Sequence, residues 1–359
     1  MSAVPALSPA PVTSPPSPLR LRLDGAALVS NWRWLKARGG AAACGAAVKA
    51  NAYGLGAVEA TRRLAAAGCR DFFVTTWAEA AEILAAAGGA SVSVLHGLRD
   101  EDLDVAAASP ARPVLNTPDQ VRRWRERGAG RACDVMVDTG INRLGLAPAD
   151  IGSGLLDGLA VETLMSHLAC ADEDVEMNAW QRQALVDLSA RVPHRRLSLA
   201  NSAGICLGPD HVFDLTRPGL ALYGGTPRRE AQGHIRQVVH VEAQIVQRRR
   251  VEAGGTIGYN ATFTAARPTE IAILNIGYAD GYLRAFSNAG RALAGGAALP
   301  VVGRVSMDLT AIAVDAAPGL AEGDWVEMDY DLAGAAAASG LSQYELLTTL
   351  GRRHDRLWT

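Results

Sequence analysis

The sequence predicts a parallel (β/α)8 barrel, an α/β fold, followed by a second domain that is mostly β. Apolar, β-prone runs alternate with helical patterns through about the first 235 residues, and there are eight such runs. Eight strand–helix units in roughly 200 residues are typical of a closed barrel. The runs are Cys44–Ala50, Asp71–Thr76, Ser91–Gly97, Arg112–Thr117, Cys133–Thr139, Val161–Leu168, Arg196–Asn201 and Asp214–Gly224.

An open, doubly wound sheet would show the same alternation of strands and helices. Two features favour closure, namely the count of eight runs and the absence of a Gly-x-Gly-x-x-Gly fingerprint after the first run. Helical patterns lie at Ala26–Arg38 and then between the runs, as in Trp77–Ala87, Pro118–Arg127 and Asn178–Arg191. We therefore assign residues 19–235 to the barrel.

The pattern changes at about Val238. Short β-prone runs then follow one another, separated by Gly-Gly, Pro and Asp turns, with little helix before Ser342–Arg352. We assign residues 236–359 to a mostly β domain. Its runs are Val239–Ala243, Glu270–Asn275, Leu299–Val305, Thr310–Val314 and Trp325–Met328.

Composition favours small-molecule chemistry. The 35 basic and 37 acidic side chains give a net charge of -2, which offers no electrostatic reason to expect nucleic acid or an anionic membrane surface as a partner. The five cysteines are odd in number and lack a C-x-x-C pair, so neither a disulfide framework nor a metal site is indicated. A reducing, cytoplasmic location is expected.

Residues 1–18 are rich in Pro, Ser and Ala. They lack both a basic n-region and a sustained apolar stretch, so they do not have the pattern of a secretory signal. We expect a disordered leader.

A single lysine, Lys49, ends the first apolar run. A lysine in a buried strand is costly to desolvate as a cation, which indicates an amine retained for chemistry. It would serve either in a covalent bond to an aldehyde cofactor or as a general base with a lowered pKa. Taken alone, it fits equally well a lysine at a strand end whose amine reaches solvent. The turn at Gly54 and Gly56, before the helical pattern Val58–Leu64, gives the strand–loop–helix layout of a site and favours the chemical role.

Unusual polar residues recur where the predicted barrel strands end. Asp138–Gly145 ends the fifth run, Ser166-His167 the sixth and Asn201-Ser202 the seventh, and Arg217-Pro218-Gly219 lies in the eighth. Any one of these groups alone is explained by a cap or a turn. Their shared position at the carboxyl ends of strands, together with Lys49, predicts an active site at that mouth of the barrel.

These motifs resemble, in order, those of the alanine racemase family, from about Leu21 to the C-terminus. The stretch around Lys49 resembles the family's pyridoxal-phosphate signature, and Thr256–Phe263, Ile276–Gly281 and Gly303–Asp308 resemble motifs of its second domain. The resemblance implies a pyridoxal 5'-phosphate-dependent racemase that interconverts L-alanine and D-alanine and supplies D-alanine for peptidoglycan synthesis. It also implies a head-to-tail homodimer with shared active sites.

The resemblance assigns roles to individual residues. Lys49 carries the cofactor and serves as the base for D-alanine, while Tyr259, from the partner subunit, serves as the base for L-alanine. Arg143, Tyr278 and Met307 contact the substrate, and Arg143 also contacts the cofactor's phenolic oxygen. The cofactor-binding residues are Lys49, Tyr53, His167, Asn201, Ser202, Arg217, Gly219 and Tyr223.

Arg217 matches the arginine that hydrogen-bonds the pyridine nitrogen of the cofactor, supported by His167. A guanidinium is effectively always protonated and cannot give the ring nitrogen a proton as an aspartic acid would. The unprotonated ring is a weaker electron sink, which restrains side reactions such as transamination.

One position departs from the family pattern. Two residues before Asp138, where many relatives have a lysine that becomes carbamylated, this chain has Met136. A neutral thioether cannot act as the carboxylate that orients Arg143. We expect either that an anion or Asn142 orients Arg143 instead, or that Arg143 is held less firmly.

Three other interpretations remain open at this stage. A pyridoxal-phosphate decarboxylase of the same fold is disfavoured because racemase motifs run through both domains, and a non-catalytic cofactor-carrying barrel would lack residues 236–359. A serine or broad-specificity racemase has the same motifs as an alanine enzyme. Tyr344 and Arg352 lie where a family tyrosine near the phosphate is expected, and the sequence assigns neither.

Overall fold

The computed structural model describes residues 15–151 and 153–359, so most of the predicted leader lies outside the described residues. The elements up to the end of the barrel are β1 Leu19–Leu23, α1 Gly25–Arg38, β2 Ala43–Cys44, β3 Ala46–Ala47, α2 Lys49–Tyr53, α3 Ala57–Ala67, β4 Asp71–Val74, α4 Trp77–Ala87, β5 Ser91–Val94, α5 Leu103–Ala108, β6 Arg112–Leu115, α6 Pro118–Arg127, β7 Cys133–Met136, α7 Pro148–Ile151, β8 Val161–Met165, α8 Glu176–Ser189, β9 Arg196–Ser198, α9 Ser202–Leu207 and β10 Leu215–Thr216.

The parallel strands close into the predicted barrel. Strands β3 to β9 pair in chain order, and β10 pairs with β2, which continues into β3 across Gly45. Between β9 and β10, Arg217 N donates to Ala200 O at 2.8 Å, and Asp214 N donates to Leu197 O at 3.1 Å. These bonds complete the ring, so the closed barrel is confirmed and the open sheet is excluded.

Side-chain caps fix where several barrel helices begin. The Asp24 carboxylate accepts from Ala27 N at the start of α1, and the Thr117 hydroxyl accepts from Gln120 N at the start of α6. Helix α4 opens with a capping box of Thr76 and Glu79. The caps at Thr76 and Thr117 set the direction in which the chain leaves β4 and β6, and so help to shape the loops at the barrel mouth.

The second domain is mostly β, as predicted. Its main sheet has the order β16-β15-β18-β11-β1-β19, and β14 joins it by pairing with β11 and with β17. The elements are β11 Val239–Val251, β12 Thr256–Ile257, β13 Phe263–Thr264, β14 Thr269–Leu274, β15 Arg291–Ala294, β16 Ala297–Pro300, β17 Thr310–Ala313, β18 Trp325–Met328, α10 Leu332–Ser339, α11 Gln343–Thr348 and β19 Asp355–Trp358.

Strand β1 belongs to this second sheet, although the predicted range 19–235 grouped it with the barrel. It pairs antiparallel with β11 and parallel with β19. Leu19, Leu21 and Leu23 are buried while the arginines between them are half-buried, which is the period-2 pattern of a strand with one face in a core. The predicted boundary between residues 235 and 236 stays a prediction.

The two domains meet beside the mouth of the barrel. Helix α11 packs against α2, and a Cβ added to Gly54, at the end of α2, would lie 2.6 Å from the Leu347 carbonyl oxygen. The second domain therefore packs directly against the segment that carries Lys49. Within residues 15–151 and 153–359, no helix has the length and apolar character needed to span a membrane.

Candidate active site

A cavity of about 640 Å³ opens at the carboxyl-terminal mouth of the barrel. Of the twelve predicted site residues, the structure brings eight together around it, because each follows a strand of the same parallel barrel. These eight are Lys49, Tyr53, Arg143, His167, Asn201, Ser202, Arg217 and Gly219.

Lys49 enters the cavity from an unusual backbone conformation. The four residues after it, Ala50 to Tyr53, have φ between 51° and 55° and form one left-handed helical turn. None of them is glycine, and a left-handed conformation costs about 1–2 kcal/mol per residue. Strain of this kind persists only where the surrounding structure holds it.

Contacts from both domains hold the turn. The Glu79 carboxylate accepts from Ala50 N at 2.7 Å, so the residue that caps α4 also fixes the first amide after Lys49. From the second domain, the Arg356 guanidinium donates to the Gly54 carbonyl oxygen through Nε at 3.0 Å and Nη2 at 2.8 Å. The two ends of the turn are therefore tied to different parts of the fold.

The surroundings of Lys49 favour its neutral amine. Burial lowers the pKa of Lys49 below 10.5, the positive charges of Arg143 and Arg217 lower it further, and Glu79 opposes them. Since only the neutral amine is a nucleophile or a base, this environment prepares Lys49 for covalent and proton-transfer chemistry.

The same shift predicts how the stability of the cofactor-free protein depends on pH. Between the lowered native pKa of Lys49 and 10.5, the unfolded chain binds more protons than the native protein, so the free energy of unfolding should rise with pH through this window. Lys49→Met should therefore be more stable than the wild type at neutral pH, and this advantage should shrink as the pH approaches 10.5.

Denaturant unfolding of the two cofactor-free proteins at several pH values measures this difference. Lys36→Met is the matched control, because Lys36 is exposed and is the only other lysine in the chain. A Lys49→Met advantage that stays constant across the window would contradict the assignment.

Arg217 lies buried on the wall of the cavity. Its Nη1 donates to the Ser198 hydroxyl, and its Nη2 donates to the Ser166 carbonyl oxygen at 2.6 Å. Burial lowers the pKa of Arg217 to about 10, which still leaves the guanidinium protonated at neutral pH. The residue is a rigidly held cation.

His167 lines the same cavity as a neutral imidazole. Burial, followed by the charges of Arg217, Arg143 and Lys49, lowers the pKa of His167 to about 3. The predicted support of Arg217 by His167 stays a prediction, because the hydrogen bonds that Arg217 makes within the described residues go to Ser198 and Ser166.

The Ser202 and Tyr53 hydroxyls, beside the backbone of Gly219, form a cradle suited to an anion on one wall. The Ser202 hydroxyl oxygen accepts from Gly219 N at 3.0 Å and from Ala221 N at 3.2 Å, which leaves its proton to be donated elsewhere. A Cβ at Gly219 would lie 2.1 Å from the Tyr53 hydroxyl oxygen, so only glycine lets that hydroxyl approach the backbone. Asn201 begins α9 and accepts from Gly204 N at 2.9 Å.

Two tyrosines are placed differently from the sequence-based expectation. Tyr223 does not line the cavity; it is fully buried, donates its hydroxyl to the Ala47 carbonyl oxygen at 2.8 Å and stacks on Tyr53 with the ring centres 4.9 Å apart. Tyr344, which the sequence left unassigned, does line the cavity, and its ring centre lies 6.3 Å from that of Tyr53. The docking of α11 on the Lys49 turn brings it there.

The loop that carries Arg143 is organised by Asp138. The carboxylate accepts from Gly140 N at 2.8 Å and from Arg143 N at 3.1 Å. Met136 lies in β7, is buried and faces the same cavity as Arg143. The Asn142 side-chain nitrogen donates to the Gly140 carbonyl oxygen at 3.3 Å, so this amide stabilises the loop, and an anion is the better candidate for orienting Arg143.

The remaining predicted residues form a second cluster on the other domain. Tyr259 and Met307 are 67% and 53% exposed, and neither they nor Tyr278 line the cavity of Lys49. Their loops are joined by hydrogen bonds from Tyr278 N to Ser306 O and from Ala279 N to Met307 O, each 3.0 Å long. Tyr259 lines a separate hollow of about 470 Å³, together with Arg304 and Ser306.

The geometry defines a class of enzyme. A lysine whose pKa is lowered, two arginines and an anion cradle at the mouth of a (β/α)8 barrel are the parts of an enzyme that uses its lysine for covalent or proton-transfer chemistry.

Comparison with known proteins identifies the family. Residues 23–227 match the alanine racemase N-terminal domain, and residues 238–358 match the alanine racemase C-terminal domain. An alanine racemase of Acidiphilium cryptum is 42% identical over 353 residues, which are 94% of this chain and 98% of that protein. A catabolic alanine racemase of Agrobacterium fabrum is 40% identical over 352 residues, 94% of this chain and 91% of the relative.

Comparison with a solved structure gives the same family. The alanine racemase of Bartonella henselae, described with covalently bound pyridoxal phosphate, superposes with a TM-score of 0.89 at 34% identity, covering 96% of this chain and 100% of that one. The chain belongs to the alanine racemase family and is therefore a racemase, an isomerase. The family predicted from the motifs is confirmed.

Proposed function

We propose that this protein is a pyridoxal 5'-phosphate-dependent alanine racemase that uses Lys49 and Tyr259 as its two bases. The observation that carries the proposal is the shared cavity, in which the Lys49 amine and the anion cradle face the same space. Its volume of about 640 Å³ lies in the range of small-molecule sites. The motif matches through both domains and the covalently bound pyridoxal phosphate of the Bartonella relative support it.

The residues present fit this cofactor. Lys49 would bind its aldehyde carbon, and the Ser202 and Tyr53 hydroxyls, beside the backbone of Gly219, would hold its phosphate. When bound, the cofactor supplies an electron sink that eases removal of the α-proton of an amino acid. Tyr223 contributes through Tyr53, by stacking behind it, rather than by direct contact.

The two arginines and His167 would hold the rest of the cofactor and the substrate. Arg217 would hold the pyridine nitrogen, and its persistent charge would keep that nitrogen unprotonated and limit side reactions. Arg143 would hold the phenolic oxygen and the substrate side. His167 and Asn201 complete the wall, with His167 neutral.

Racemisation needs two bases on opposite faces of the substrate. Lys49 takes or returns the proton on the face of the D-enantiomer, and Tyr259 does so on the face of the L-enantiomer. Tyr259, Tyr278 and Met307 do not reach the cavity of their own protomer. We therefore propose a head-to-tail homodimer in which each protomer contributes these three residues to the active site of its partner.

We place the enzyme in the cytoplasm, where it would supply D-alanine for peptidoglycan synthesis. Cys44, Cys69 and Cys133 are buried free thiols whose pKa values burial raises to about 12, in keeping with a reducing compartment. Rescue of a D-alanine-requiring bacterium by the expressed gene tests this role, and failure to rescue with active enzyme would argue against it.

The substrate is tested by incubating the purified protein with a panel of L-amino acids and separating the products by chiral chromatography. We expect D-alanine to form fastest. Comparable or faster formation of D-serine or several D-amino acids would replace alanine racemase with a serine or broad-specificity racemase.

Met136 predicts that activity does not depend on carbon dioxide. A thioether cannot form a carbamate, so initial rates in degassed buffer should equal those with bicarbonate, while chloride at constant ionic strength should raise the rate with saturation at a modest concentration. Met136→Lys should introduce a bicarbonate requirement. A bicarbonate requirement in the wild-type protein would contradict this interpretation.

A further inference from the structure

We infer that two arginines of one short C-terminal segment, Arg353 and Arg356, position groups that belong to two different active sites of the dimer. Arg356 holds the turn that carries Lys49, and Arg353 holds the loops that carry Tyr278 and Met307. Both act as positioning residues. The inference rests on the proposed function, because only in a dimer with shared sites do the turn and the loops serve different cavities.

Arg356 acts on the Lys49 turn through one carbonyl group. Its Nε and Nη2 both donate to the Gly54 oxygen, at 3.0 Å and 2.8 Å, and Nη2 also donates to the Gly351 oxygen at 3.1 Å. Gly54 ends the left-handed turn with a φ of 88°, and its carbonyl is where the strained turn rejoins ordinary backbone. The guanidinium therefore closes the turn at the end opposite Glu79.

Arg353 acts on two loops at once. Its Nε donates to Asp280 Oδ1 at 2.7 Å, and its Nη1 donates to Asp308 Oδ1 at 2.8 Å. Asp280 is fully buried and also accepts from Gly277 N at 3.0 Å. Because Asp280 lies two residues after Tyr278 and Asp308 directly follows Met307, one side chain bridges both loops and reinforces the backbone hydrogen bonds that join them.

The two arginines thus contact different site elements although they are three residues apart in sequence. The Lys49 turn lines the cavity of its own protomer, whereas Tyr278 and Met307 do not. The segment that carries both arginines is itself held in place, because Gly351 N donates to the backbone carbonyl oxygen of Asp280 at 3.0 Å and β19 pairs with β1. Loss of either guanidinium should release one element and leave the other in place.

Arg356→Gln, Arg353→Gln and Arg352→Gln test this division. Arg352 is the matched control, since it is exposed and has no hydrogen bond or ion pair to any residue that the structure describes. We expect Arg356→Gln to raise the dissociation constant of pyridoxal phosphate about tenfold or more, and Arg353→Gln to leave it within about twofold while raising KM for alanine about tenfold. Arg352→Gln should change neither quantity.

Lysine variants separate positioning from folding. Arg356→Lys keeps a charged donor without the two-pronged contact, so it should bind the cofactor with intermediate affinity and unfold at the wild-type temperature. Amide hydrogen exchange of the cofactor-free proteins gives a readout independent of activity. Arg353→Lys should speed exchange at Tyr278 and Ala279 and leave exchange at Gly54 unchanged, and Arg356→Lys should do the reverse. If both variants changed the rates of amide hydrogen exchange at the same residues, the inference would be overturned.

Mixed dimers test the assignment to two sites. Co-expression of Arg353→Gln and Arg356→Gln subunits with different tags yields dimers in which one site has both changes and the other has neither. These dimers should regain about half of the wild-type activity at low alanine concentration. Mixed dimers no more active than their parents would show that both arginines serve one site, and would overturn the inference.

Molar mass by light scattering distinguishes this failure from failure of the proposed dimer. A fully active monomer would refute the shared site itself, and with it the assignment of Arg353 to a partner's cavity. A dimer with no gain in the mixed species would refute only the division between the arginines.

Discussion

Lys49→Ala protein should lose racemase activity by a factor on the order of 10⁴ or more, because in the proposed mechanism one side chain supplies both the covalent link to the cofactor and one of the two bases. The wild-type protein with pyridoxal phosphate should absorb near ~420 nm and should retain the cofactor after borohydride reduction and denaturation. The Lys49→Ala protein should retain none. Mass spectrometry of the reduced protein measures both results.

The low lysine content of the chain makes the result of this experiment simple to interpret. Lys49 and Lys36 are the only two lysines, so Lys36→Ala controls for labelling at the one other lysine side chain. Lys36 lies exposed on α1, and its loss should leave labelling and activity unchanged. Borohydride-stable labelling of the Lys49→Ala protein would place the cofactor elsewhere.

Tyr259→Phe should lower the racemisation rate by ~10² or more while leaving cofactor binding intact. The change removes only a hydroxyl from a side chain that is 67% exposed in the protomer, so packing within the protomer is little affected. Because the role proposed for this hydroxyl is on the face of the L-enantiomer, uptake of solvent deuterium into L-alanine should fall more than uptake into D-alanine. Nuclear magnetic resonance of each enantiomer in deuterated buffer measures the two rates.

Tyr282→Phe is the matched control for the loss of a hydroxyl. Tyr282 is buried and its hydroxyl has no hydrogen-bond partner among the described residues, so its removal should leave both deuterium uptake rates unchanged. An equal fall in both directions for Tyr259→Phe would refute the assignment of opposite faces to Lys49 and Tyr259. It would leave the racemase activity itself in place.

The residues at the barrel mouth illustrate what a sequence pattern can predict. Side chains that follow the carboxyl ends of parallel strands must meet at one end of a barrel, so the motifs at Lys49, Arg143, His167, Ser202 and Arg217 could be grouped before any coordinates were available. The grouping depended only on the period of the strands and on their parallel order, and the cavity contains all five.

Tyr344 and Tyr223 illustrate the limit of that reasoning. The resemblance placed Tyr223 among the cofactor-binding residues and left Tyr344 unassigned, whereas the docking of α11 brings Tyr344 to the cavity and the hydrogen bond to Ala47 keeps Tyr223 behind Tyr53. The predicted range of the barrel also included strand β1, because adjacency in the chain does not reveal that β1 pairs with β11 and β19. Contacts between segments that are distant in sequence determine the positions of Tyr344, Tyr223 and β1.

By itself, the sequence determined the order of strands and helices, the change to a β domain near residue 238, the motifs of the family and the lysine at the end of the first barrel strand. These follow from local periodicity and from the chemistry of single residues. Only the tertiary structure decided that the turn after Lys49 is left-handed, that Glu79 and Arg356 hold its two ends, and that Tyr259, Tyr278 and Met307 lie apart from the cavity. The physical reason is that backbone strain and side-chain positions depend on partners up to about 300 residues away in sequence, as between Gly54 and Arg356.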